Sequence, residues 1–324
     1  MTANDNRIDA RDWSLLAVLS VLWGGSFFFN GVVLKELPPL TVVLLRVALA
    51  AMILLPVLRA YQIRFPVGLS GWKPFFAIAL LNNVLPFSLI VIGQTYIPSG
   101  LASILNATTP LFTVMVMAAA GDEKLHARRV VGVLTGLIGV IVLHGQDVHG
   151  QGVHGQDAHG QDPGFQSGEG VGILLCLAAA FSYGLSALYA RRKLSNSPPL
   201  ATATFQLLAS ALMMTIVAAV FERPWQLPMP GVTTWLAMIG LSALSTALAY
   251  IVFFQVLRRS GSTNVMLVTL LIPVTAILLG YLMLGESISL REMIGALVIG
   301  SALLLMDGRV LKLIPGFSIP KTTP

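Results

Sequence analysis

Long apolar stretches alternate along the chain with short polar, proline-rich or glycine-rich turns. Ten such stretches predict membrane-spanning helices, since about 20 apolar residues cross a hydrocarbon core of roughly 30 Å. The first five run from Trp13 to Leu34, Leu40 to Leu58, Trp72 to Gly93, Leu101 to Ala120 and Val130 to Leu143. The second five run from Val171 to Ala190, Ala201 to Phe221, Val232 to Phe254, Asn264 to Leu284 and Met293 to Met306. The fifth and tenth are short and must borrow flanking residues to span. Turns such as LysGluLeuProPro from Lys35 and SerAsnSerProPro from Ser195 separate the runs.

Composition excludes a soluble reading. Of 324 residues, 56% are hydrophobic and 10% charged, against roughly 25% charged in soluble domains; the mean hydropathy is +0.82. So few charges could not cover a chain of this size in water. Outer-membrane barrels read as alternating segments of about ten residues, unlike these unbroken runs. The expected fold class is therefore an all-α polytopic membrane protein with the lipid bilayer as its solvent. The opening MetThrAlaAsnAspAsn segment lacks a signal peptide's architecture, so the first span is expected to be retained. A net charge of +6 sits in short membrane-flanking clusters, which argues against a nucleic-acid partner. The single Cys176 provides neither a disulfide framework nor a metal ligand set.

Lys and Arg placement sets the expected orientation, because basic loops are retained in the cytoplasm. With the N-terminus inside, inner segments hold 16 of the 20 basic residues, among them Arg59, Arg64, Arg128, Arg129, Arg191, Arg192, Lys193, Arg258 and Arg259. Outer loops hold Lys35, Arg223 and Arg291, and Arg46 lies within a span. Both termini are expected in the cytoplasm, in a bacterial-type inner membrane.

The two halves also match each other. Pro110 precedes Glu123 by the spacing at which Pro273 precedes Glu286, and Gly132 and Gly295 follow at matching distances. Gln94, Ser99 and Gly100 correspond to Gln255, Ser260 and Gly261. Trp23, Gly24 and Ser26 match Tyr183, Gly184 and Ser186, and Arg46 falls opposite Gln206. Five helices per half is an odd number, so the second copy enters the membrane inverted. Inverted repeats around a midplane site are the architecture of alternating-access carriers; an inert duplicated scaffold is the other reading. The domain division is a tail 1–12, a first repeat 13–143, an external His- and Gly-rich loop 144–169, a second repeat 170–306 and a tail 307–324.

TrpGlyGlySer from Trp23, LeuLeuArg ending at Arg46, and the long GlyGlnThrTyrIleProSerGly segment leading to Pro110 resemble an EamA-type member of the drug/metabolite transporter superfamily. GlyGluSerIle at Gly285 fits the second repeat, whereas GlyAspGluLys at Gly121 departs from the usual GlyGlu. The resemblance covers residues 13 to 306. It implies ten transmembrane helices in two EamA-like repeats, and often an exporter of amino acids or other small metabolites.

Polar residues at helical spacing are the substrate-binding candidates: Trp23, Ser26, Asn30, Arg46, Asn82, Asn83, Asn106, Tyr183, Thr246 and Tyr250. An amide in hydrocarbon must find a partner, so these faces turn inward, either as packing glue or as the wall of a polar cavity. Pro110 and Pro273 each remove a backbone donor and are candidate hinges or fixed kinks. Gly132 and Gly136 form a GxxxG pair that permits close helix approach, with homodimerisation one use of it. The near-repeats at His144, His149, His154 and His159 fix no coordination geometry and read as a low-complexity insertion; neither metal nor cofactor is expected. No GxSxG, HExxH or Walker sequence occurs to suggest a membrane-embedded enzyme. That enzyme and a non-transporting scaffold or receptor are the alternatives to a transporter. Arg46 snorkels outward or ties backbone carbonyls at the repeat interface in one account, and offers a fork to a substrate carboxylate or phosphate in the other.

Overall fold

The computed structural model describes residues 9–123, 126–144, 168–265 and 267–307, and all regular structure among them is helical. His149, His154 and His159, and the tails 1–8 and 308–324, lie outside the described residues. A helix satisfies most of its backbone groups internally, as lipid requires. The helices are α1 (Ala10–Val33), α2 (Pro39–Ala60), α3 (Gly68–Gly93), α4 (Ser99–Ala119) and α5 (Ala127–His144). They continue as α6 (Glu169–Lys193), α7 (Pro199–Phe221), α8 (232–265), α9 (Val268–Leu284) and α10 (Leu290–Asp307). Among the described residues seven helices, α1 to α4 and α6 to α8, are long and apolar enough to cross a membrane, and α9 is a shorter apolar helix. Their outward faces carry large apolar side chains such as Met52, Leu212, Ile216 and Leu236, as expected of helices that are hydrophobic all round.

Sequence punctuation explains most boundaries. Asp9 caps α1 by accepting from Asp12 N at 2.7 Å, and Pro39 and Pro199 begin α2 and α7, where a missing N–H costs nothing. Gly121 and Gly285 adopt positive φ (75° and 68°) at the turns after α4 and α9, a region that side chains disfavour. One expected start is corrected. Asn264 belongs to the end of α8, not the start of the next span, because the helix runs on through Val265 and keeps its backbone bonds internal.

Packing echoes the internal repeat. α1 lies against α8 and α9, α6 against α3 and α4, and α2 against α7. On α5, Gly132 and Gly139 face α10, where a Cβ on Gly139 would sit 3.1 Å from Ile299 N and 3.2 Å from Gly295 O, whereas Gly136 faces Leu111 of α4. One apolar cluster gathers residues of α1, α4, α6, α8 and α9, and a second gathers α2, α3, α7 and α8. Tyr183 packs against both.

Irregular turns interrupt α3 and α8 near mid-length and end α9. Leu80–Val84 in α3, Gly240–Leu248 in α8 and Gly280–Leu284 in α9 are π-helical, a widening that re-aims side chains. Two of these segments carry polar residues: Asn82 and Asn83 in the first, Ser242, Ser245 and Thr246 in the second. The two matched prolines behave differently. Pro110 follows a break in α4 at 107–108, where Thr109 Oγ1 donates 2.7 Å to Asn106 O. Pro273 sits inside the unbroken helix Val268–Leu279.

Candidate functional site

Five helices bring polar side chains together at mid-depth. Arg46 lies seven residues into α2, roughly 10 Å from its start at 1.5 Å per residue, and is 6% exposed. Its Nε donates to Thr246 Oγ1 of α8 at 3.0 Å, and its guanidinium carbon stacks 3.8 Å from the centre of the Phe87 ring. The π-turn at Gly240–Leu248 makes this possible, since Thr246 also donates 2.8 Å to Leu241 O, five residues back. The phenols of Tyr183 and Tyr250 lie within electrostatic reach of Arg46.

Tyr250 anchors the rest of the cluster. Its hydroxyl receives Nδ2 of Asn82 at 3.2 Å and Nε2 of Gln206 at 3.0 Å, and donates 3.2 Å to Asn83 Oδ1. Asn82 Oδ1 accepts from Ser186 Oγ at 3.0 Å, and Asn83 Nδ2 donates 3.0 Å to Ser210 Oγ. Every buried amide here is paired, which low-dielectric surroundings demand. Arg46, Asn82, Asn83, Tyr183, Thr246 and Tyr250 thus cluster in one region of the bundle. Gln206, Ser210, Ser186 and Phe87 join them without having been singled out; Gln206 carried a signal, its correspondence with Arg46.

The other candidates sit apart. Ser26 donates 2.7 Å to Trp23 O on its own helix, and the Trp23 ring leans on Phe253 at 5.4 Å. Asn106 lies beside the break in α4 with a buried, partnerless Oδ1. Asn30 belongs to a second network. Its Nδ2 donates 2.8 Å to Gln94 Oε1, whose own Nε2 reaches Phe27 O at 3.0 Å and Ser99 Oγ at 3.2 Å.

That second network meets a carboxylate from the opposite half. Glu286 accepts from Ser99 N at 2.9 Å and Gly100 N at 3.3 Å, so a negative charge caps the start of α4. A shallow crevice beside it is lined by Pro98, Leu101, Ile104 and Ile277. At the matched turn, Glu123 is held by Arg129 and Arg191, and Asp122 accepts from Arg192 at 2.6 Å. The Arg192 guanidinium holds the Asp122 carboxyl below the usual carboxylate range. Among the described residues no group of His, Cys, Asp and Glu could hold a metal ion.

Comparison with known proteins accounts for the doubled arrangement. The EamA-like transporter family matches twice, over residues 12–144 and 170–306. The chain belongs to the EamA-like transporter family. It is 22% identical over 287 residues to the uncharacterized transporter YoaV of Bacillus subtilis (strain 168), covering 88% of this chain and 93% of that one. It is 26% identical over 308 residues to a probable amino-acid metabolite efflux pump of Escherichia coli (strain K12), covering 90% and 93%. A similar match, 25% over 295 residues, reaches the uncharacterized inner membrane transporter YedA of Escherichia coli (strain K12), covering 90% and 89%. A solved crystal structure superposes with a TM-score of 0.62 at 19% identity, covering 92% of this chain and 96% of that one, which speaks for the fold. An EamA-like chain with these relatives is a multi-pass membrane transporter with a small-molecule substrate, not an enzyme by family.

Proposed function

We propose that this EamA-like protein carries a small amphipathic metabolite, an amino acid or similar compound, out of the cell by alternating access. The observation that carries the reading is the mid-depth cluster, in which both repeats supply side chains: Arg46, Asn82 and Asn83 from one, Ser186, Ser210, Thr246 and Tyr250 from the other. A site shared between repeats changes its exposure when one repeat rocks against the other. In this reading all ten helices span, the short α5, α9 and α10 included, and the repeats are inverted with both termini cytoplasmic.

The two ends of the bundle support it. Glu286 ties the turn after α9 to the start of α4, and Glu222 ties the end of α7 to the start of α2, accepting from Leu40 N at 2.9 Å and Thr41 N at 2.6 Å. These carboxylate caps join the repeats at the outer end. The matched Glu123 at the inner end is held by arginine side chains instead, so the ends are latched by different chemistry. Substrate-dependent flux into proteoliposomes of the purified chain, set beside metabolite efflux from cells with and without it, tests the proposal. Absence of any protein-dependent solute movement would sink it.

A further inference from the structure

The geometry points to a monocarboxylate without a compensating ammonium group as the substrate class of the Arg46 site. This rests on the transporter reading above and, among small amphipathic metabolites, favours an acid without an amino group over the amino acid named there.

Arg46 is a buried cation with no counter-charge. It forms no ion pair among the described residues, and its partners are one hydroxyl, Thr246 Oγ1, and one ring, Phe87. Among the described residues every Asp and Glu falls outside the helices or within a terminal turn, so none of these is available at mid-depth. Among the described residues the terminal nitrogens, Nη1 and Nη2, have no hydrogen-bond acceptor, and Nε alone is bonded. The residue keeps 6% of its surface exposed. A guanidinium held edge-open in this way presents two parallel donors, the fork that fits a carboxylate. An arginine left unpaired inside a membrane helix is costly, and an arriving carboxylate removes that cost.

The same reasoning limits what else the ligand carries. An ammonium would meet no carboxylate among the described residues of the site, and the Oδ1 atoms of Asn82 and Asn83 already accept from Ser186 and Tyr250. A phosphate dianion would leave one negative charge buried beyond what a single arginine neutralises. The walls beside the guanidinium are aromatic: Phe87 beneath it, Tyr183 near it, and Tyr250 stacked on Phe254 with ring centres 6.1 Å apart. They suit an apolar or aromatic body on the acid.

Four probes of one shape separate these cases: 3-phenylpropionate, phenylalanine, phenethylamine and benzylphosphonate. Binding to the purified full chain is read from the rise in melting temperature, beside a series of straight-chain fatty acids from acetate to octanoate. At neutral pH, 3-phenylpropionate should bind roughly tenfold or more tighter than phenylalanine or the phosphonate, and phenethylamine should not bind. Arg46→Gln should lose roughly ten- to a hundredfold in carboxylate affinity, the worth of a hydrogen bond to a charged group, and Arg46→Lys should keep part of it. Equal or tighter binding of phenylalanine, phenethylamine or the phosphonate overturns the inference, as does silence from every carboxylate or an undiminished Arg46→Gln. If that variant does not fold, the wild-type ranking decides alone. Flux separates the two levels: a protein that moves only neutral or cationic solutes is a transporter with a different substrate class, whereas one that moves nothing fails the earlier proposal.

Discussion

Arg46 and Thr246, 200 residues apart in sequence, share a 3.0 Å hydrogen bond at the centre of the bundle. The bond joins the two EamA-like repeats and orients the guanidinium. Thr246→Val removes the acceptor at nearly constant volume and leaves Nε unpaired. A loss of about 1–3 kcal/mol is expected, seen as a lower melting temperature in detergent together with slower flux. An unchanged melting temperature would mean that Arg46 finds another acceptor at no cost.

Glu286 predicts a shift in access. Glu286→Gln replaces a capping carboxylate by an amide, weakening the bonds from Ser99 N and Gly100 N. A cysteine at Ile104, 2% exposed and lining the adjacent crevice, should then react faster with a membrane-impermeant thiol reagent. Cys176 is buried and is replaced by Ala to silence the background. Equal labelling rates with and without Glu286→Gln would show that the carboxylate does not hold this end shut.

Gly139 and Gly295 let α5 and α10 approach to backbone contact. Gly139→Val should overpack that crossing and cost about 1–3 kcal/mol. A melting temperature equal to wild type would refute the close crossing.

Asp122 carries a pH dependence. Its carboxyl is held down by Arg192, so its folded value lies below the ordinary value of about 3.9. The stabilisation is therefore full above that ordinary value and fades as pH falls through the lowered one. Wild type and Asp122→Asn should differ in melting temperature by a constant amount from about pH 8 to pH 5, converging only in stronger acid. Convergence near neutral pH would contradict the ion pair.

Topology follows from the basic-residue asymmetry. A C-terminal reporter should be cytoplasmic, and a tag placed between residues 150 and 160 should be labelled from outside intact cells. Protection of that tag would reverse the orientation.

The doubled organisation was legible in the chain because it is written locally. Apolar runs of bilayer length, Pro39 and Pro199 at helix starts, and Gly121 and Gly285 at turns each act within a few residues of themselves. Arg46, Asn82, Asn83 and Tyr250 were legible as candidates for the same reason, since a polar group in an apolar run must be satisfied somewhere. Which partner satisfies it is not a local matter. Only the packed bundle decided that Tyr250 gathers Asn82, Asn83 and Gln206, that Asn30 joins Gln94 instead, and that Pro110 sits at a break while Pro273 does not. Phe87 beneath Arg46 left no trace in the sequence, because one phenylalanine among many apolar residues becomes a cation's neighbour only when two helices set its ring in place. Helix spacing predicts which face turns inward; contacts between helices depend on rotations and π-turns, such as Leu80–Val84 and Gly240–Leu248, that arise when all the helices pack at once.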